Sequence, residues 1–450
     1  MKRSTGLAAS LCALLCAAFF AGTLGSLTYP HFTPTANAAE TSTLPLTDTA
    51  LLKHGANLAA IGDCVVCHTA DRSAPFAGGR PLDTPFGTIY STNITPDRQT
   101  GIGDWTLSDF TRSMRRGIAR DGHLLYPAFP YPHFTYMTDA DIAALYAYLM
   151  SRDAVQSTAP ANQLIFPLSF RPLIAAWNLF FLHPGVEANG ETNSQANVQA
   201  NVQAPAEPAT HDAQLIRGKY LIDGPAHCAA CHTPMNLLGA EKRGDAFDGN
   251  VIEGWEAPAL TTLLSAPEPW THDQLAAYLR TGFADQHGAA AGPMRAVTQS
   301  LTNASDVDVD AMATYLLSLQ KPAEASPKAM QQTAQANMNN IRDGATLFSA
   351  ACASCHAANA PMTTLGSRPS LALGTAVNAN DPRNALRTIL DGIPTDRSMR
   401  AAFMPGFADT FTNAQIADLA AYLRSNFSSQ PAWTLDEADV ERLRKESHEP

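Results

Sequence analysis

The chain has 450 residues, 45% of them hydrophobic, too many for one ordinary core and enough for roughly two to four domains. Thirty Lys and Arg face 41 Asp and Glu, a formal net charge of −11 at pH 7. That acidic balance excludes a nucleic-acid binder, which needs a basic face to neutralise phosphates.

Residues 1–38 read as a signal peptide. Lys2 and Arg3 precede an apolar run from Leu7 to Ala21, and small residues at Ala36 and Ala38 suit cleavage after Ala38. The run is short for a membrane span, so a retained N-terminal anchor is the lesser alternative; Cys12 and Cys16 within it lack the small residues of a lipoprotein site. Elsewhere no uncharged stretch reaches the ~20 apolar residues of a conventional transmembrane helix.

Three amphipathic stretches then open three similar units: Ala50 to Ile61, Ala213 to Ile222 and Ile341 to Ala350. Each holds one glycine (Gly55, Gly218, Gly344), which weakens a helix and points to close approach by another. Each runs into the same frame: Cys64-Val65-Val66-Cys67-His68, Cys228-Ala229-Ala230-Cys231-His232 and Cys352-Ala353-Ser354-Cys355-His356. Closing helices are expected at Asp141 to Leu149, Asp308 to Leu316 and Gln415 to Leu423, introduced by the capping residues Thr138, Ser305 and Thr412.

Between the units, Leu164 to Leu182 is rich in Phe, Leu and Trp177, with only Arg171 charged. Pro167 and Pro172 interrupt it. It is expected either as a helix lying in a membrane interface with Trp177 near the headgroups, or as a strap packed on the first domain or a partner. The polar runs around Ala196 to Ala204 and from Lys321 to Asn340 bury little and read as flexible tethers. The charged tail from Asp436 onward reads as a solvated helix or strap.

The three frames use every cysteine beyond residue 38, against about 0.004 such frames expected by chance from composition. Two thiols about one helical turn apart can add to the two vinyl groups of one haem, and the adjacent His sets its imidazole under the iron. A disulfide does not explain the His after every pair, and zinc needs further ligands that the frames lack. The frames therefore predict three covalently bound haem c groups, on Cys64 and Cys67, Cys228 and Cys231, and Cys352 and Cys355, with His68, His232 and His356 as axial ligands.

The unit of opening helix, haem frame, loop and closing helix resembles the class I cytochrome c domain over nearly all of residues 48–428. The resemblance implies an all-α fold of three tandem class I cytochrome c domains (48–153, 211–320, 341–428). A strap (154–185), linkers (186–210 and 321–340) and a polar tail (429–450) complete the expected organisation. It also implies that the opening and closing helices cross, and that a loop Met ahead of the closing helix is the sixth ligand, since a thioether raises the potential. Met404, 12 residues before Ile416, and Met294, 15 before Val309, fill that slot; Met399 is the neighbour without a role. In the first unit Phe129 stands 13 residues before Ile142, and a phenyl ring cannot ligate iron. His133 is the expected substitute, with Met137, Met114 and then His123 as alternatives, or an open site.

Phe86 to Thr95, Gly101 to Trp105 and Tyr126-Pro127-Ala128 resemble the tri-haem cytochrome subunits of periplasmic alcohol, gluconate and sorbitol dehydrogenases. Tyr126 to Tyr131 followed by His133-Phe134-Thr135, Gln286-His287-Gly288 and Phe403 to Asp409 are more similar to cytochrome partners of molybdenum hydroxylases, such as membrane-bound aldehyde dehydrogenase and nicotinate-type dehydrogenases, the aldehyde dehydrogenase branch above all. The resemblance implies an electron-transfer subunit attached peripherally to the periplasmic side of the inner membrane. It would pass electrons from a catalytic dehydrogenase subunit of molybdopterin type, with a small iron–sulfur subunit, to ubiquinone. A PQQ alcohol or flavin gluconate or sorbitol dehydrogenase is the alternative partner. A multi-haem peroxidase with an open first haem and a soluble electron shuttle are the competing functions. The sequence holds no dinucleotide fingerprint, phosphate loop or nucleophile constellation, so no catalytic residue is expected.

Overall fold

The computed structural model describes residues 48–185, 210–266, 268–321, 338–361, 370–394 and 403–448. The expected signal peptide, most of both linkers and Met399 lie outside them.

The first repeat runs α1 (Thr49–Ile61), α2 (Cys64–Cys67), β1 (Pro81–Thr84), β2 (Gly87–Tyr90), α3 (Leu107–Arg116), α4 (Tyr131–Phe134) and α5 (Asp139–Met150). After it, β3 (Gln163–Leu164) pairs antiparallel with β2, and α6 (Leu173–Phe181) follows. The second repeat holds α7 (His211–Asp223), α8 (Ala229–His232), β4 (Asn250–Ile252), β5 (Trp255–Ala257), α9 (His272–Thr281), β6 (Phe283–Ala284), β7 (Gly288–Ala289), α10 (Gly292–Leu301) and α11 (Asp306–Ser318). The third has α12 (Met338–Ala351), α13 (Ala353–His356), α14 (Thr375–Asn378), α15 (Arg383–Asp391), α16 (Asn413–Phe427) and α17 (Glu437–His448). The architecture is helical, as expected, and the strands form only small antiparallel ladders.

Opening and closing helices cross in every repeat, at the glycine. A Cβ on Gly55 would lie 2.1 Å from the Ala144 carbonyl oxygen, one on Gly218 2.0 Å from that of Ala311, and one on Gly344 2.1 Å from that of Asp418. Only a hydrogen fits there, so each glycine trades helix propensity for backbone contact. The closing helices start at the expected caps: Thr138, Ser305 and Thr412 accept from the amides three residues on, at 3.1, 3.2 and 3.2 Å.

Each repeat has its own apolar core: Phe110, Ile142 and Leu145 in the first; Leu221, Leu275 and Met312 in the second; Leu386, Leu390 and Ile416 in the third. Each such side chain contributes about 1.5–3 kcal/mol on burial. The expected solvated tail is instead part of the third repeat: Val440 and Leu443, three apart on α17, are buried in its core.

Polar contacts lock the repeats together. Buried Asp308 of the second accepts from Arg217 at 2.7 Å and from Asn57 of the first at 2.6 Å, and Asn57 in turn accepts from the Ser305 amide at 2.6 Å. The Tyr220 hydroxyl donates to Asp141 and accepts from the Thr138 amide at 3.1 Å. Between the second and third, Asn384 makes two bonds with the backbone of Glu256, both at 2.9 Å, and Arg295 donates to the Pro394 carbonyl at 2.8 Å.

Candidate haem sites

In each frame the opening helix stops just before the first cysteine and a single short helical turn carries the pair, so both thiols and the following imidazole share one surface. The residue ahead of the first cysteine takes a left-handed backbone at Asp63 (φ +51°) and His227 (φ +39°), uncommon for side-chain-bearing residues. The six cysteines are free of disulfides. Burial pushes the Cys64 and Cys228 thiols up to about 12, so they stay neutral.

The imidazoles are oriented as axial ligands need. The Nδ1–H of His68 donates to the Thr92 carbonyl at 2.6 Å and that of His232 to the Pro258 carbonyl at 2.7 Å, which fixes the tautomer and leaves Nε2 with its lone pair. Burial lowers both pKa values below the ordinary histidine range, keeping the rings neutral. These carbonyl acceptors carry no sequence signature.

One cavity of about 1410 Å³ takes in Cys228, Cys231, His232 and Met294 from the second repeat and Cys352, His356 and Met404 from the third. That exceeds the ~300–1,000 Å³ of a pocket for one small ligand. Its predominantly apolar lining brings thiols, an imidazole and a thioether from each repeat onto one cavity, a donor set that would hold two haems. The attachment turns of the first and second repeats also meet: His227 Nε2 lies 3.2 Å from the Gly62 carbonyl, and a Cβ on Gly62 would sit 3.3 Å from the Pro225 carbonyl oxygen.

A register that counting back from the closing helices does not reveal aligns the three loops. The middle helices α3, α9 and α15 end at the positive-φ glycines Gly117, Gly282 and Gly392. Twelve residues beyond each glycine stand Phe129, Met294 and Met404. Met294 and Met404 are half-buried on the shared cavity, and Met404 pairs its backbone with Ile393 at 2.8 and 3.0 Å. Phe129 holds the same place in the first repeat, packed with Cys64 on a core that includes Phe134.

His133, the expected substitute ligand, is placed otherwise. It is buried at the boundary with the second repeat, its Nε2 2.6 Å from Glu241 and its Nδ1 3.0 Å from the Asp223 carbonyl. With both nitrogens engaged, neither offers a lone pair to iron. Met114 lies three residues before its glycine, where Leu279 and Ile389 stand in the other repeats, all buried. Met137 immediately precedes its helix cap, where the others have Ala304 and Phe411, the apolar place of a hydrophobic staple. His123 is exposed beside Asp121 at 2.5 Å.

The strap also departs from one expectation. Trp177 Nε1 donates to the Leu238 carbonyl of the second repeat at 3.0 Å, Ile174 is buried, and Asn178 accepts from Tyr131 at 2.6 Å, so one face of α6 is packed on the protein. The other face carries Leu179 and Phe180, 80% and 69% exposed; Phe166, ahead of the helix, is 90% exposed and Leu237 of the second repeat 96%. No described helix is long and apolar enough to cross a membrane.

The cytochrome c family model matches residues 52–153, 216–320 and 341–427, one segment per repeat. The chain is 46% identical over 389 residues to a nicotinate dehydrogenase subunit from Pseudomonas putida, a match covering 85% of this chain and 31% of that protein. The chain thus spans about a third of that relative. It is 36% identical to the gluconate 2-dehydrogenase cytochrome c subunit of Pantoea cypripedii (88% of this chain, 90% of that one). It is 34% identical to the fructose dehydrogenase cytochrome subunit of Gluconobacter japonicus (87% and 82%).

Proposed function

The chain belongs to the cytochrome c family, and from that premise we propose that it is the three-haem electron-transfer subunit of a membrane-bound, quinone-linked dehydrogenase. One observation carries the reading: three complete Cys-x-x-Cys-His frames lie in a chain that spans nearly the whole of two dehydrogenase cytochrome subunits. Each haem supplies reversible one-electron chemistry at iron. The chain attaches the haems through its six cysteines, ligates them through His68, His232 and His356 with Met294 and Met404, and keeps water from the apolar cavity between the second and third.

The proposed partner is a catalytic subunit of molybdopterin type with a small iron–sulfur subunit. The local similarity at Tyr126 to Tyr131 and the higher identity to the nicotinate dehydrogenase relative favour it over a PQQ or flavin partner. Electrons would leave to ubiquinone at the periplasmic face of the inner membrane. The bare face around Phe166, Leu179, Phe180 and Leu237 suits shallow insertion among lipids, with the other face of α6 seated on the protein.

The test is purification from native membranes. The chain is expected to bring a molybdopterin-containing subunit with it, its haems reduced by an aldehyde or N-heteroaromatic substrate and reoxidised by a ubiquinone analogue. Isolation without any dehydrogenase subunit, or haems that substrate leaves oxidised in the complex, would refute the proposal.

A further inference from the structure

We propose that Phe129 makes the first haem five-coordinate, with an apolar-capped iron that binds a small neutral diatomic such as CO or NO. This rests on the three-haem reading above and adds to it a ligand-binding site. The argument is one of register. From the positive-φ glycine that ends the middle helix, the same count of twelve leads to Met294, Met404 and Phe129. The two methionines each border the cavity that holds their own frame, and Phe129 packs on the cluster that takes in Cys64. The phenyl ring stands where the other repeats put a donor, and it has no lone pair to give.

Among the described residues, the candidates to replace that donor have other partners or core places. His133 is bonded at both nitrogens, to Glu241 and to the Asp223 carbonyl. His227, edge-on to Phe134 at 5.7 Å, belongs to the attachment turn of the second repeat, directly before Cys228, and its Nε2 lies 3.2 Å from the Gly62 carbonyl. Met114 and Met137 occupy positions that the other repeats fill with Leu, Ile, Ala or Phe, which a ligand site does not allow and a core site does. The rings against Phe129 are those of Phe134 at 5.4 Å and Tyr131 at 6.2 Å, and the Tyr131 hydroxyl is spent on Asn178. Among the described residues, this aromatic cluster holds no free hydroxyl for a bound peroxide or dioxygen. It suits an uncharged diatomic that binds ferrous iron by itself.

The test uses the full-length, haem-loaded protein, with haem counted by mass and by absorbance on the same sample. The oxidised protein is expected to show one high-spin haem of three by EPR, and the reduced protein to take up one CO per chain. Phe129→Met should turn that haem low-spin and abolish CO uptake, with Met114→Leu and Met137→Leu leaving both signals as they were. Three low-spin haems with no CO bound would overturn the inference while leaving the relay intact. Loss of CO binding's dependence on residue 129, or a gain of high-spin haem in Met137→Leu or His133→Gln, would overturn it too. A chain with no haem on Cys64 and Cys67 would overturn both readings.

Discussion

Replacing His133 by alanine removes two hydrogen bonds between the first and second repeats, to Glu241 at 2.6 Å and to the Asp223 carbonyl at 3.0 Å. A bond to a charged group contributes ~1.5–3 kcal/mol, and because the Glu241 side chain is 27% exposed we take about 1–2. The bond to the carbonyl adds about 1, for a total near 2–3 kcal/mol. Burial alone would lower the pKa of His133, but the Glu241 carboxylate overcomes it and the pKa is raised. A raised folded-state value means stability fully present below the unfolded value, about 6.5, and lost as pH climbs through the folded one. Calorimetry of the full haem-loaded protein across that range should therefore find His133→Ala well below the wild type at about pH 6, the gap closing toward alkaline pH, with haem EPR signals unchanged. A gap independent of pH, or a first haem that changes spin state, would refute the reasoning.

Gly344→Ala would force a methyl to within 2.1 Å of the Asp418 carbonyl oxygen; the overpacking, about 1–3 kcal/mol or more, should outweigh the ~1 kcal/mol gain in helix propensity and lower the urea midpoint of the third repeat. Met404→His should lower the potential of one haem of three in a spectroelectrochemical titration, because a second imidazole stabilises ferric iron more than a thioether does; three unchanged potentials would remove Met404 from the iron. Asp141 is desolvated, yet His54 at 2.5 Å and Tyr220 hold its pKa below the ordinary carboxylate range. Its contribution is present above about pH 4 and is lost as pH falls through the depressed folded value, so Asp141→Asn should flatten the acid limb of the stability curve.

The haem frames, the glycines of the helix crossings and the caps were legible because each is a local requirement: a thioether pair needs one helical turn, a backbone contact needs a missing Cβ, and a helix start needs an oxygen acceptor. His133 shows the opposite case. A histidine between aromatic residues looks the same whether its partner is iron or a carboxylate 108 residues on. The tail misled through composition, since Val440 and Leu443 are the apolar exceptions in a charged run yet sit at helical spacing. The register of Phe129, Met294 and Met404 was in the sequence throughout, but it starts from the middle helix, whose end only the positive φ of its glycine marks. Counting back from the closing helix crosses α4 in the first repeat and most of α10 in the second, helices of different length, and so blurs the equivalence.

Electron tunnelling falls off exponentially with distance, so a relay of three haems works only if their separations are held. Chain length alone never holds such distances: any flexible tether sets a distribution whose width grows with its length. Contacts do. The Asp308 and Tyr220 networks fasten the first repeat to the second, the Asn384 and Arg295 bonds fasten the second to the third, and both sets use buried or half-buried polar groups that tolerate little displacement. Polar interfaces discriminate among docking geometries more sharply than apolar ones, since a shifted hydrogen bond leaves a desolvated group behind. The same interfaces bring the attachment turns at Gly62 and His227 together and merge the second and third frames into one cavity. The spacing of the redox centres is thus written in side chains outside the Cys-x-x-Cys-His frames, and substitutions at Asp308 or Tyr220 would alter transfer rates while leaving every haem attached.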